Sequence, residues 1–141
     1  MSRETKTASA RTETTGIEGR VMASARGRVM LIDSSPARSA KEPEAMTSGD
    51  LFISSLIGCG AVIVDATARK LDIPIKKAAF QAETVRYADD LSRYININIE
   101  VEIEGVSQAD AETLVQAYQD DCPIYRLASE GSEVSMKVTA K

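Results

Sequence analysis

Apolar and polar residues alternate strictly over residues 94–104, which is the most regular pattern in the chain. The apolar members are Ile95, Ile97, Ile99, Val101 and Ile103. A period of two is typical of a β-strand with one face on the core and the other in water. Further extended segments are predicted over 75–87, over 134–138 and within 14–33, where a hairpin turns at Arg26-Gly27.

The longest apolar run, Leu51–Leu71, has the sequence LFISSLIGCGAVIVDATARKL. It is long enough for a helix of about six turns. Thr47 and Asp50 precede it with the spacing of an acidic capping box, and Pro74 cannot continue it. The run therefore predicts the principal helix of the fold.

A second helix is predicted from Ser107, which with Asp110 forms another capping box, to about Asp121. Its apolar face has the helical spacing i, i+3, i+4, i+7 and consists of Ala111, Leu114, Val115 and Tyr118. Pro123 suits the first position of a further short helix. The order β-β-α-β-β-α-α-β predicts an α+β domain in which a helical layer packs on one face of an antiparallel sheet.

Two segments lack any periodicity. Residues 1–13 are rich in Ser, Thr, Arg, Lys and Glu and are expected to form a disordered tail before a single domain over 14–141. Ser34–Ser48 contains two prolines and is a loop long enough to act as a functional lid or an inter-subunit segment.

Composition narrows the class of protein. Of 141 residues, 43% are hydrophobic and 27% charged, as in a soluble globular domain, and the net charge of −4 argues against nucleic-acid binding. The N-terminal residues MSRETKTASARTETT have no apolar core of a secretory signal. The run Leu51–Val64 is shorter than the roughly 20 residues of a membrane span. We therefore expect a cytoplasmic protein without a membrane partner, in which a permanent disulfide is not favoured.

The chain has no histidine and two cysteines, Cys59 and Cys122. This excludes Ser-His and Cys-His nucleophile pairs and His-ligated metals, and the cysteine spacing fits no zinc site. Chemistry would have to use thiols, carboxylates, arginines or tyrosines, with no metal or prosthetic group.

Each cysteine permits two interpretations. Cys59 lies between Gly58 and Gly60, and these glycines suggest that a helix, a partner subunit or a substrate comes close. Alternatively, Cys59 is a small core residue. Cys122 precedes a predicted helix, whose dipole would favour its thiolate, although Asp120 and Asp121 oppose this. Alternatively, Cys122 is a turn residue.

The motif L-x4-L-x-G-C-G around Cys59, followed about sixty residues later by CPIYRL at Cys122, resembles the OsmC/Ohr family of osmotically inducible and organic hydroperoxide resistance proteins. The resemblance runs from roughly Thr14 to Lys141. It implies an intertwined homodimer with the long helices central, acting as a thiol peroxidase in oxidative-stress defence. By position, Cys59 would form a sulfenic acid and Cys122 would resolve it to a disulfide, which an external thiol reductant reopens. The apolar helix favours bulky organic hydroperoxides as substrates.

In this family an arginine of the first hairpin, held by a glutamate before the central helix, stabilises the thiolate. Arg20 in TGIEGRV is the best match, and Arg26 and Arg28 compete with it. GDLF replaces the acid-rich family pattern, which leaves Asp50 as the nearest carboxylate. Nine residues of helix turn through about 900°, so Asp50 would face away from Cys59. Asp50 is either the replacement acid or simply part of the capping box.

The incomplete arginine–carboxylate pair motivates a second hypothesis. The chain would then be a non-catalytic dimer of the same fold that binds a small apolar ligand, with both thiols as core residues.

Overall fold

The structure is a computed structural model that describes residues 3–141. The chain divides into two compact units, one ending at Leu51 and one from Phe52 to Lys141, here called unit 1 and unit 2. The single domain expected over 14–141 stays a prediction.

Unit 1 contains an antiparallel sheet of three strands, β1 (Arg11–Thr14), β2 (Arg20–Ala25) and β3 (Arg28–Asp33). The predicted hairpin is present as β2 and β3. Arg26 and Gly27 form its turn with φ values of 52° and 74°, as a two-residue hairpin turn requires. This turn sets a register in which Arg20 is opposite Asp33.

Strand β1 begins inside the segment for which a disordered tail was predicted, because Arg11–Thr14 pairs with Val21–Ser24 of β2. For residues 1 and 2 that prediction lies outside the described part of the chain. Beyond β3, residues 34–46 form the predicted loop. Within residues 3–51, Asp33 is the one buried residue.

Helix α1 (Ser48–Lys70) is the predicted principal helix. Its capping box is formed: the N–H of Asp50 donates to Thr47 Oγ1 at 3.2 Å, and the N–H of Thr47 donates to Asp50 Oδ2 at 2.8 Å. Asp72 ends it with φ 54° while the N–H of Ile73 donates to Ala68 O, as in a Schellman motif. By length and composition α1 could cross a membrane, a test that the core helix of a soluble protein also passes.

Unit 2 has a sheet of β4 (Lys77–Val85), β5 (Asn96–Glu104) and β6 (Glu133–Ala140). Strands β4 and β5 are antiparallel, but β5 and β6 are parallel. The parallel pair arises because α2 (Gln108–Asp121) and α3 (Pro123–Gly131) connect β5 to β6, and such a crossover returns the chain in the same direction.

The core of unit 2 confirms the predicted alternation, since β5 buries Ile97, Ile99, Val101 and Ile103. The predicted face of α2 is also buried, comprising Ala111, Leu114, Val115 and Tyr118. Helix α1 contributes one residue per turn: Leu56, Gly60, Val64 and Ala68. The α+β class is therefore confirmed, with the parallel β5–β6 pair as an unpredicted detail.

Candidate active site

Cys59 lies at the edge of the buried stripe of α1. Leu56 and Gly60, on one side of it, are buried, whereas Ser55 and Val62, on the other side, are exposed. Cys59 itself is half-buried. Its thiol therefore borders both the core of unit 2 and the surface of the helix.

Cys122 joins two helices. Its N–H donates to Tyr118 O at 3.1 Å and so ends α2. Its sulfur accepts a hydrogen bond from the N–H of Tyr125 at 3.3 Å and so caps α3, whose first residue is Pro123. The predicted helix start is confirmed, and Cys122 is buried, with 1% of its surface exposed.

The two cysteines are free thiols that lie close enough to influence each other. Burial, together with a hydrogen bond to Cys122 and the charge of Cys122, raises the pKa of Cys59 to about 11. Within unit 2, none of the groups that shift this pKa is a cation. The thiolate of Cys59 is therefore scarce at neutral pH unless a cation is supplied.

The two glycines beside Cys59 have different surroundings. A Cβ atom at Gly60 would lie 2.9 Å from the ring of Tyr118 and 3.1 Å from that of Phe80, so the predicted close approach is made there by α2 and β4. Tyr118 uses this space to donate a hydrogen bond of 2.9 Å to Leu56 O. A Cβ atom at Gly58 would meet no described atom within 4 Å, so that face of α1 is open.

Arg20 is held by two carboxylates of unit 1. Its Nε and Nη2 donate to Asp33 Oδ1 and Oδ2 at 2.7 and 2.8 Å, and Nη2 also donates to Glu44 Oε2 at 2.9 Å. Asp33 Oδ2 additionally accepts the N–H groups of Glu44 and Ala45 at 2.7 and 2.8 Å. The loop after β3 is thereby tied to the start of β2.

These bonds fix the charge state of the cluster. The hydrogen bond from Arg20, followed by that from Ala45, holds the pKa of Asp33 well below its usual range, and Asp33 and Glu44 raise the pKa of Arg20. Within residues 3–141, Nη1 of Arg20 makes no hydrogen bond. A cavity of about 300 Å³ adjoins the cluster, and Lys41 also lines it. Arg20 is thus oriented but keeps free donors.

The other predicted candidates have simpler surroundings. Arg26 and Arg28 are exposed and form no ion pair within the described residues. Asp50 makes its hydrogen bonds to Thr47 in the capping box. The catalytic roles suggested for Cys59, Cys122, Arg20 and Asp50 stay predictions.

Two residues of the arginine cluster were missed from the sequence. Asp33 could have been found, because a two-residue turn at Arg26-Gly27 places it opposite Arg20. Glu44 could not, because it lies in a loop without periodicity. Among residues 3–141, no three His, Cys, Asp or Glu side chains converge on a metal site.

A protein-family model described as OsmC-like protein matches residues 41–137, more than half of the chain. The chain belongs to the OsmC-like protein family. The matched residues include both cysteines and Asp50 but not Arg20. No curated protein sequence matches the chain.

Solved structures of OsmC-like and organic hydroperoxide resistance proteins share the fold. An OsmC-like protein from Mycoplasma pneumoniae has a TM-score of 0.81 at 15% identity, with 96% of this chain and 97% of that chain covered. An organic hydroperoxide resistance protein OsmC from Legionella pneumophila has a TM-score of 0.74 at 20% identity, covering 97% and 99%.

A third neighbour is the organic hydroperoxide resistance protein OhrB of Bacillus subtilis. It has a TM-score of 0.69 at 16% identity, with 94% of this chain and 98% of that chain covered. At these identities the likeness shows that this OsmC-like chain has the same fold.

Proposed function

We propose that this OsmC-like protein is a thiol peroxidase that reduces organic hydroperoxides in a reducing cytoplasm. The observation that carries the proposal is the pairing of a half-buried thiol, Cys59, with a buried thiol, Cys122, in unit 2. The half-buried thiol can meet a substrate, whereas the buried one can meet only its neighbour. This supports Cys59 as the peroxidatic cysteine and Cys122 as the resolving cysteine.

The reaction has two steps on the protein. The Cys59 thiolate attacks the terminal oxygen of the hydroperoxide ROOH, the O–O bond breaks, and the departing alkoxide takes a proton to become an alcohol. Cys59 is then a sulfenic acid. The sulfur of Cys122 next bonds to that of Cys59, and water leaves with the thiol proton. An external thiol reductant returns both cysteines to the thiol state by exchange.

Arg20 is our candidate for the cation that the first step needs. Asp33 and Glu44 orient its guanidinium, and Nη1 keeps free donors for a thiolate or a peroxide oxygen. Because Asp33 accepts two hydrogen bonds from Arg20 at a buried position, we assign it the supporting part for which Asp50 was suggested. Asp50 stays engaged with Thr47.

Apolar surface supports both the substrate class and a homodimer. Beside Cys59, Val62 is 70% exposed, which suits a bulky organic peroxide better than hydrogen peroxide. In unit 1, Val29, Met30 and Leu31 are exposed in succession, and a second copy of the chain would bury them. The Legionella and Bacillus relatives are named organic hydroperoxide resistance proteins, which supports the same chemistry here.

A single-turnover reaction tests the proposal. The reduced protein is mixed with equimolar cumene hydroperoxide, and free thiols and intact mass are followed. We expect wild type to lose both thiols and form a disulfide, Cys122→Ser to accumulate a sulfenic acid that dimedone traps, and Cys59→Ser to consume no peroxide. Unchanged thiols in wild type would disprove the peroxidase.

A second candidate function is favoured by one observation. Because the pKa of Cys59 is raised, its thiol is neutral at neutral pH, as expected for a cysteine that only packs against the core. A groove of about 870 Å³ between α1 and α2 is lined by apolar residues such as Ile63 and Leu71 and by charged residues such as Lys70 and Asp120, and it would take the apolar part of a small ligand. A dimeric protein that binds such a ligand but leaves cumene hydroperoxide intact would establish this alternative.

A further inference from the structure

Tyr118 is linked to both cysteine-bearing segments of unit 2. Its phenol donates a hydrogen bond of 2.9 Å to the main-chain carbonyl of Leu56 on α1. Its own carbonyl accepts the N–H of Cys122 at 3.1 Å. One residue therefore connects the backbone of Cys122 to α1 about one turn before Cys59.

The connection is tight because Gly60 has no side chain. A Cβ atom there would lie 2.9 Å from two ring atoms of Tyr118, which is closer than carbon atoms pack. Tyr118 has no exposed surface, and burial, followed by the charges of Cys122 and Cys59, raises the pKa of its phenol. The phenol therefore stays a donor at neutral pH.

We propose that Tyr118 is a positioning residue for disulfide formation, because it ties α2 to α1 and so holds the Cys122 thiol beside Cys59. The inference rests on the proposed function and concerns its second step. In that step the S–S bond forms, the S–O bond of the Cys59 sulfenic acid breaks, and the oxygen leaves as water with the proton of Cys122.

Disulfide formation is sensitive to such positioning. The bond requires Cα atoms within about 7 Å and a narrow dihedral range, and reacting atoms must approach to about 3–3.5 Å. Cys122 is both the C-cap of α2 and the N-cap of α3, so its thiol lies at the junction of the two helices. The Leu56 hydrogen bond is the described polar link that holds this end against α1.

The test separates the two steps of the reaction. Reduced Tyr118→Phe is mixed with equimolar cumene hydroperoxide and quenched at intervals with dimedone, and intact mass reports sulfenic acid and disulfide. We expect an unchanged rate of Cys59 oxidation but disulfide formation slower by about fivefold to tenfold, the effect of one lost hydrogen bond. Dimedone-labelled protein should increase accordingly.

Two control variants distinguish positioning from stability. Val115→Ala removes buried side-chain atoms of α2 and leaves a cavity in the core beside it, so it should lower the melting temperature. The ratio of sulfenic acid to disulfide should stay at the wild-type value. Tyr87→Phe removes an exposed phenol and should change neither. A wild-type ratio in Tyr118→Phe, or the same altered ratio in Val115→Ala, would overturn the inference.

Gly60→Ala provides a second variant, since its Cβ atom must displace the Tyr118 ring. It should also prolong the lifetime of the sulfenic acid, and a wild-type lifetime in a folded Gly60→Ala protein would count against the inference.

A reaction with diamide tests positioning even if the proposed function is wrong, because diamide oxidises two thiols to a disulfide without a peroxide. If wild type does not react with cumene hydroperoxide, slower disulfide formation with diamide in Tyr118→Phe than in wild type still supports positioning. Equal rates overturn it.

Discussion

Units 1 and 2 hold their candidate residues by opposite means. In unit 2, Cys122 belongs to an apolar core to which α1, β5 and α2 contribute, and Cys59 packs against that core. In unit 1, the one buried residue among 3–51 is charged, and it is Asp33, which binds Arg20. The apolar core fixes a thiol pair but raises the pKa of Cys59. The charged cluster of unit 1 orients a cation, while Val29, Met30 and Leu31 of the sheet beside it are exposed.

Unit 1 has no cysteine, and in unit 2 no cation is among the groups that shift the pKa of Cys59. A thiolate needs a cation in a site of low polarity, and an oriented arginine needs a nucleophile. The proposed peroxidase requires both. Experiments that change one unit at a time can therefore separate its two requirements.

The largest effect on stability is expected in the core of unit 2. Leu56→Ala removes a side chain with no exposed surface and should lower the free energy of unfolding by about 2–5 kcal/mol. Leu31→Ala in unit 1 is the matched control, because Leu31 is 46% exposed, and in dilute protein it should cost about 0.5 kcal/mol or less. Urea unfolding measures both. Equal losses would refute the contrast between the units.

The next effect is expected on the reactivity of Cys59 when Arg20 is removed, and it is measured as a function of pH. The thiolate is the reactive form, so a higher pKa lowers reactivity below that pKa by tenfold per unit. If Arg20 supports Cys59, Arg20→Met should raise the apparent pKa of Cys59 by at least about one unit and slow its alkylation at neutral pH at least tenfold. Site-resolved iodoacetamide labelling across pH measures this.

Arg26→Met and Arg28→Met are the matched controls for this experiment, since both arginines are exposed. They should leave the pH profile of Cys59 at the wild-type position. A shift in Arg28→Met with none in Arg20→Met would transfer the proposed role to the other arginine.

An effect of similar size, on self-association, is expected from a charge on the exposed sheet of unit 1. If a second copy covers Val29, Met30 and Leu31, Leu31→Glu should weaken self-association by about tenfold or more, because the carboxylate would be buried without a partner. Sedimentation equilibrium measures the dissociation constant. Leu127→Glu, at a 70% exposed position in unit 2, is the control and should not change it.

The smallest effect is expected at Gly58. Gly58→Ala should raise the free energy of unfolding by about 0.5–1 kcal/mol, because alanine favours a helix and no described atom opposes the added methyl. Gly60→Ala should lower it, because the Tyr118 ring must move. A loss of stability or of dimer in Gly58→Ala would show that another molecule contacts this face.

Local patterns predicted most of the fold. The alternation over 94–104 identified the buried residues of β5, and Thr47 and Ser107 marked the starts of α1 and α2, because these signals act within a few residues. The parallel pairing of β5 with β6 was not predicted. A short alternating strand has the same pattern in either direction, so only the helical crossover decides it.

The candidate site was predictable only in part. The Cys-Gly and Cys-Pro motifs pointed to Cys59 and Cys122, and hairpin register would have paired Arg20 with Asp33. Tyr118 was expected only to pack. Its bond to Leu56 depends on the distance between two helices, which no local pattern encodes.

The absence of a buried apolar residue in described unit 1 has a consequence for handling the protein. If a second copy supplies the missing cover, folding of this unit and association are one equilibrium, and protein concentration enters its stability directly. Dilution would then act as a denaturant. A melting temperature of this protein would have meaning only beside the concentration at which it was measured.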